Sequence, residues 1–93
     1  MLNPQDLVKI LDQLLERDFK PPLTFAAVAL NGATGLGRFV PVDDGDGLSC
    51  EILHKSDHAD WLTPINLMFV DATGEAARVV IDASRWPTPQ ILH

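Results

Sequence analysis

Apolar and polar residues alternate most regularly over Ile65–Ser84, INLMFVDATGEAARVVIDAS. Ile65, Leu67 and Phe69 mark one strand, and Ala77, Val79, Ile81 and Ala83 mark a second, with the period of two expected of strands that bury one face. The two sets must share a face, and that requirement selects the connection. A two-residue turn at Thr73-Gly74 would set Phe69 opposite Arg78 and Leu67 opposite Val80. A three-residue loop, Ala72-Thr73-Gly74, closes Asp71 against Glu75 and pairs Phe69 with Ala77, Leu67 with Val79 and Ile65 with Ile81. A slip of one residue undoes this arrangement. Such a loop is usually a type I turn followed by a left-handed residue, which Gly74 supplies without a Cβ clash. Asp71 suits the first turn position because its carboxylate can accept from N–H groups inside the turn. The other face of the hairpin, with Asn66, Met68, Val70, Arg78, Val80 and Asp82, is mixed. It reads as a surface that is partly buried or meets something.

The period changes near the amino terminus. Leu7, Val8, Ile10, Leu11, Leu14 and Leu15 follow helical spacing and form a wide stripe. Asn3 can cap the first free N–H groups, Pro4 sits where its missing N–H costs nothing, and Asp6 adds negative charge to the first turn. The helix is expected over residues 4–19, because Pro21 disfavours helical geometry at Lys20. A helix this short is marginal alone and must cover a sheet. Its wet face, Lys9, Asp12, Gln13, Glu16 and Arg17, is net neutral, whereas a helix lying on an anionic membrane carries a basic face.

Between these two elements the pattern is less regular. Leu23–Leu30 is apolar on both faces, as an interior strand would be. Asn31–Gly35 is turn material, and Leu36–Val42 returns as a second strand whose register stays open. Pro41 cannot donate to a ladder, which places that strand at an edge or ends it there. In Gly47–Lys55, Leu48, Cys50 and Ile52 share a face, with Cys50 read as a small buried hydrophobe. Residues 55–62 fit a loop or one helical turn, and Thr63-Pro64 enters the hairpin extended. In the tail, residues 85–93, two prolines favour an extended chain. Trp86, Ile91 and Leu92 there are expected to fold back or to dock on a neighbouring subunit. The expected fold is therefore α+β: one domain over residues 1–93, with an N-terminal helix packed on one face of a roughly five-stranded antiparallel sheet. The strands occupy residues 23–84, with a short helical turn before the last hairpin.

Composition narrows the function classes. The chain has 93 residues, 46% hydrophobic, enough for one modest core. A net charge of −6, with seven dispersed basic residues, disfavours direct binding to nucleic acid or to an anionic membrane. No apolar run approaches the roughly 20 residues that span a bilayer. With no signal-peptide pattern and a single cysteine, a cytoplasmic location is expected.

Catalytic and cofactor motifs are sparse. Gly32–Gly37, GATGLG, joins two expected strands and so lacks the helix N-terminus that would hold a phosphate. Asp43-Asp44-Gly45-Asp46-Gly47 resembles the start of a calcium loop. Its fifth position then falls on Leu48 and its twelfth on Lys55, where a bidentate Glu is needed, so it reads as a solvated turn. Cys50, His54, His58 and Asp60 are the one cluster with metal-ligand content. A strand, however, separates Cys50 from His54 by about 13 Å, and no C-x-x-C or H-E-x-x-H supports a site. His54, His58 and Asp60 remain weak metal candidates, and no cofactor is expected.

Surplus apolar surface carries the functional expectation. One helix covers one side of a sheet, leaving Val28, Met68, Val70 and Val80, together with Trp86, Ile91 and Leu92, as partner-binding candidates. The expectation is a non-enzymatic protein-interaction module that self-associates, with a homodimer as its simplest form. The alternatives are an acidic inhibitor that occupies a nucleic-acid-binding site on another protein, or a small metal-binding domain.

Overall fold

The hairpin that organises the pattern forms in the expected register. The computed structural model describes residues 4–42, 47–82 and 90–92, with side chains described for 7–42, 47–82 and 90. Strands β4 (Ile65–Val70) and β5 (Ala76–Ile81) pair Ile65 with Ile81, Leu67 with Val79 and Phe69 with Ala77. Gly74 has φ 92°, and the Asp71 N–H donates to the Glu75 carbonyl at 2.9 Å. Asp71 itself is buried. Its Oδ1 accepts from the Thr73 N–H (2.9 Å), the Thr73 hydroxyl (2.7 Å) and the Glu75 N–H (2.9 Å). Its Oδ2 accepts from the Lys20 N–H (2.8 Å), and the Ala72 N–H returns a bond to the Lys20 carbonyl (3.0 Å). One carboxylate thus builds the turn and ties it to the segment leaving the helix. Burial alone would push the Asp71 carboxyl up. The bonds from Lys20, Thr73 and Glu75 outweigh it and hold the group below the ordinary carboxylate range.

The remaining elements are α1 (Pro4–Glu16), β1 (Leu23–Ala29), β2 (Thr34–Pro41), β3 (Leu48–Lys55) and β6 (Gln90–Leu92). The sheet runs β3-β2-β1-β4-β5-β6, every neighbouring pair antiparallel. The roughly five strands expected are six, because part of the tail pairs with β5 as an edge strand. The doubly apolar β1 lies inside the sheet, between β2 and β4.

The register left open by the sequence, that of β1 and β2, uses the same loop as β4 and β5. Leu30-Asn31-Gly32 closes Ala29 against Ala33, with the Ala29 N–H donating to the Ala33 carbonyl at 2.8 Å and Gly32 at φ 87°. The inner row of β2 is therefore Gly35, Gly37 and Phe39, opposite Ala27, Phe25 and Leu23. Two of those three positions have no side chain, and neighbouring rings fill them. A Cβ on Gly37 would stand 2.7 Å from Phe25 Cζ, and one on Gly35 would stand 3.0 Å from Trp61 Cη2.

The core is a single cluster. Leu7, Ile10, Leu11 and Leu14 of α1 are buried together with Leu23, Phe25 and Phe39, and with Ile65, Leu67, Phe69 and Val79. Phe25 sits between Phe39 and Phe69, with ring centroids 5.3 and 5.7 Å away, within the range of favourable aromatic packing. Two expectations for the helix change. Val8 is exposed, so the buried stripe is narrower than the apolar one. The helix also stops at Glu16 rather than Phe19. Asp18 turns left-handed at φ 65°, the Phe19 N–H reaches back to the Leu14 carbonyl (3.2 Å) and the Asp18 N–H to that of Leu15 (3.2 Å). This is the Schellman pattern, and burial of both Phe19 and Leu14 supplies its apolar contact.

The short helical turn expected before the last hairpin is not formed: residues 56–64 contain no helix. Hydrogen bonds hold this loop at both ends instead. The Ser56 N–H donates to the Thr34 carbonyl, and the Thr34 N–H donates to Ser56 Oγ, both at 2.9 Å. Further on, the Leu30 N–H donates to the Leu62 carbonyl (3.0 Å), and Asn31 Nδ2 donates to the Asp60 carbonyl (3.1 Å). Between these anchors Trp61 turns inward and is buried over Gly35.

Candidate functional site

The side of the sheet away from the core presents three cross-strand rows. Leu36, Ala26, Met68 and Arg78 form one; Thr34, Val28, Asn66 and Val80 the next; Arg38, Thr24, Val70 and Ala76 the third. Val28, Leu36, Met68, Val70 and Val80 are each 37–49% exposed. They lie in adjoining rows around Ala26, so the apolar surface is continuous and shallow rather than scattered. Val28, Met68, Val70 and Val80 thus come together on one face. Trp86 lies outside the described residues, as do the side chains of Ile91 and Leu92, whose backbones pair with Ala77 and Ala76 in β6. Leu36 belongs to the same patch, a placement that depends on the β1–β2 register, which the sequence leaves open.

Among the described residues, charges on this face cancel. Arg38 Nε donates to Glu51 Oε2 at 2.7 Å across β2 and β3, and Arg78 donates to Asn66 Oδ1 at 3.1 Å. Asp82 follows Val80 on the same side by alternation. Arg38, Arg78, Glu51 and Asp82 sum to zero, whereas the whole chain carries −6. The acidic excess therefore lies elsewhere.

The β3 edge differs from expectation. Cys50 is exposed rather than buried, and Ile52 beside it is 60% exposed. Both pair with inner-row residues, Phe39 and Gly37, but β3 lies outermost on its side of the sheet and none of its residues is buried. Partial desolvation pushes the Cys50 thiol above its ordinary value, the opposite of the shift that activates a nucleophile. Leu53 is an extra residue: His54 pairs with Leu36, and Ile52 already pairs with Gly37. This bulge interrupts the free edge and disfavours addition of another strand.

The metal-ligand candidates do not assemble. The register sets Cys50 and His54 at positions that alternate to opposite faces, and His58 Nδ1 lies 3.0 Å from Ser56 Oγ. Among the described residues no three His, Cys, Asp or Glu side chains gather around one point. The acidic segment Asp43–Asp46 lies outside the described residues, and Asp57 and Asp60 are exposed. Among the described residues no helix is long and apolar enough to cross a membrane.

A cleft opens on the inner side, between the first turns of α1, the inner surface of β1–β3 and the 56–61 loop. Its volume is about 240 Å³, with walls that include Leu7, Phe25, Ala27, Ile52 and Trp61. No family model, curated protein or solved structure matches the chain.

Proposed function

We propose that this chain is a non-enzymatic protein-interaction module that self-associates, laying the outer face of its sheet against that of a second copy. The observation that carries this reading is the contiguous exposure of Val28, Leu36, Met68, Val70 and Val80 across three rows. Burying apolar area contributes roughly 25 cal/mol per Å², and a sheet that the described residues cover on one side leaves that contribution unused. A second copy fits because the patch is charge-neutral on a −6 chain: two such faces meet without bringing like charges together. Two sheets pack face to face about 10 Å apart with interleaved side chains, and the small, flat centre at Ala26 permits that approach.

Size sets the strength. Six strands spaced by roughly 4.8 Å, each contributing about six residues of roughly 3.3 Å, span on the order of 500 Å². That is below the roughly 800 Å² per partner of a standard interface, so the dimer is a reversible one with a Kd on the order of tens of micromolar. Sedimentation equilibrium from about 1 to 200 µM tests this. The wild-type chain is expected to pass from monomer to dimer across the range, little affected by salt because the contact is apolar. Met68→Arg is expected to stay monomeric. A wild-type monomer at the highest concentration, or a Met68→Arg chain that dimerises as well as wild type, would overturn the proposal.

A further inference from the structure

The inner-side cleft has chemistry of its own, although Leu36 borders both it and the outer patch. We propose that it binds a small amphiphilic carboxylate, with an aromatic or short acyl body inside and the anionic head at the mouth. The interior is apolar, lined by Leu7, Phe25, Ala27, Leu36, Ile52 and Trp61. Its depth comes from Gly35, where the missing side chain lets the Trp61 ring lie against the sheet. A volume of about 240 Å³ exceeds the roughly 150 Å³ that accommodates a benzene ring in an apolar cavity, and so admits one ring with a short arm.

The mouth decides the class of head group. Lys55 and His58 belong to the lining and remain exposed. Lys55 stands opposite Gly35 on the inner side of β3. The Ser56 hydroxyl, which accepts from the Thr34 N–H, can give its own hydrogen to His58 Nδ1, which leaves the Nε2–H as a free donor. Among the described residues no carboxylate lines this cleft, although Asp57 and Asp60 sit on the same loop. On an acidic protein, an apolar hollow with one cationic end and no acid among its described residues is complementary to an anion with a greasy body.

The test is a titration of the ¹⁵N-labelled chain with 3-phenylpropionate and, separately, with its neutral analogue 3-phenylpropanol. The acid is expected to saturate with a Kd on the order of 100 µM, moving the Trp61 indole N–H and the Gly35 and Lys55 amides. The alcohol is expected to bind about three- to fivefold more weakly, the size of an exposed charge interaction. Lys55→Gln should remove that preference. Ile52→Glu, at an exposed position that the fold tolerates, should weaken the acid more than tenfold on the order of one mispaired charge. No saturable shift by about 10 mM, well beyond that expected Kd, would overturn the proposal. So would equal binding of acid and alcohol, or an unchanged affinity in Ile52→Glu.

Discussion

Leu48, Cys50 and Ile52 alternate along β3 much as Ile65, Leu67 and Phe69 alternate along β4, yet the two strands end in opposite circumstances. The β4 set is fully buried in the common cluster, while no residue of β3 is buried. Both sets point to the same side of the sheet. Cover makes the difference: the buried stripe of α1 shares its cluster with β1, β2, β4 and β5, and of β3 only Leu48, partly buried, packs against it. Alternation in a sequence states which residues share a face. Position in the sheet decides whether anything lies over them.

The widest predicted gap is between matched truncations on these two strands. Phe69→Ala should cost about 3–5 kcal/mol of unfolding free energy, transfer plus cavity, whereas Ile52→Ala should cost less than about 0.5 kcal/mol. Urea denaturation of the two variants measures both, and similar losses would break the comparison. Between them comes Gly37→Ala, where an added Cβ meets both the Phe25 ring and the Glu51 carbonyl oxygen. A loss of about 1–3 kcal/mol is expected from that overpacking, with restoration in part when Phe25 is shortened to Leu.

A smaller and pH-dependent effect is expected at Asp71. Its folded carboxyl is held below the ordinary range, so the unfolded chain binds the proton more readily in that window, and stability rises with pH there. The contribution is fully present above the unfolded value near pH 4 and is lost as the pH falls through the lower folded value. Asp71→Asn should therefore lower Tm by several degrees at pH 7, with the gap to wild type narrowing below about pH 4. A gap that holds constant down to pH 2 would show that the carboxylate charge contributes nothing.

The two hairpins also show what was legible in advance. In β4–β5, every buried position carries a side chain, and Gly74 marks the turn, so pattern and loop agree on one register. The β1–β2 hairpin uses an equivalent loop ending in Gly32, but its buried row on β2 begins Gly35, Gly37. The apolar signal there comes from Leu36, on the outer side, and the burial is supplied by Phe25 and Trp61 from elsewhere. No local pattern records that substitution of a neighbour's ring for a side chain. A lone tryptophan among polar residues was the available sign, since an indole rarely stays in water. The end of α1 escapes the local pattern too: an aspartate takes the left-handed position that glycine usually holds. The exposure of Met68, Val70 and Val80 is legible from alternation along the last hairpin, and that of Val28 from a strand apolar on both faces where one helix covers one side of a sheet.

The account turns on that uncovered face, and its most direct test is dilution. Amide and methyl NMR shifts recorded from about 500 to 10 µM bracket an expected Kd on the order of tens of micromolar. Shifts that change with concentration are predicted at Val28, Leu36, Met68, Val70 and Val80, with Ile52 and the inner row unmoved. Concentration-independent spectra, or changes confined to the β3 edge, would contradict it.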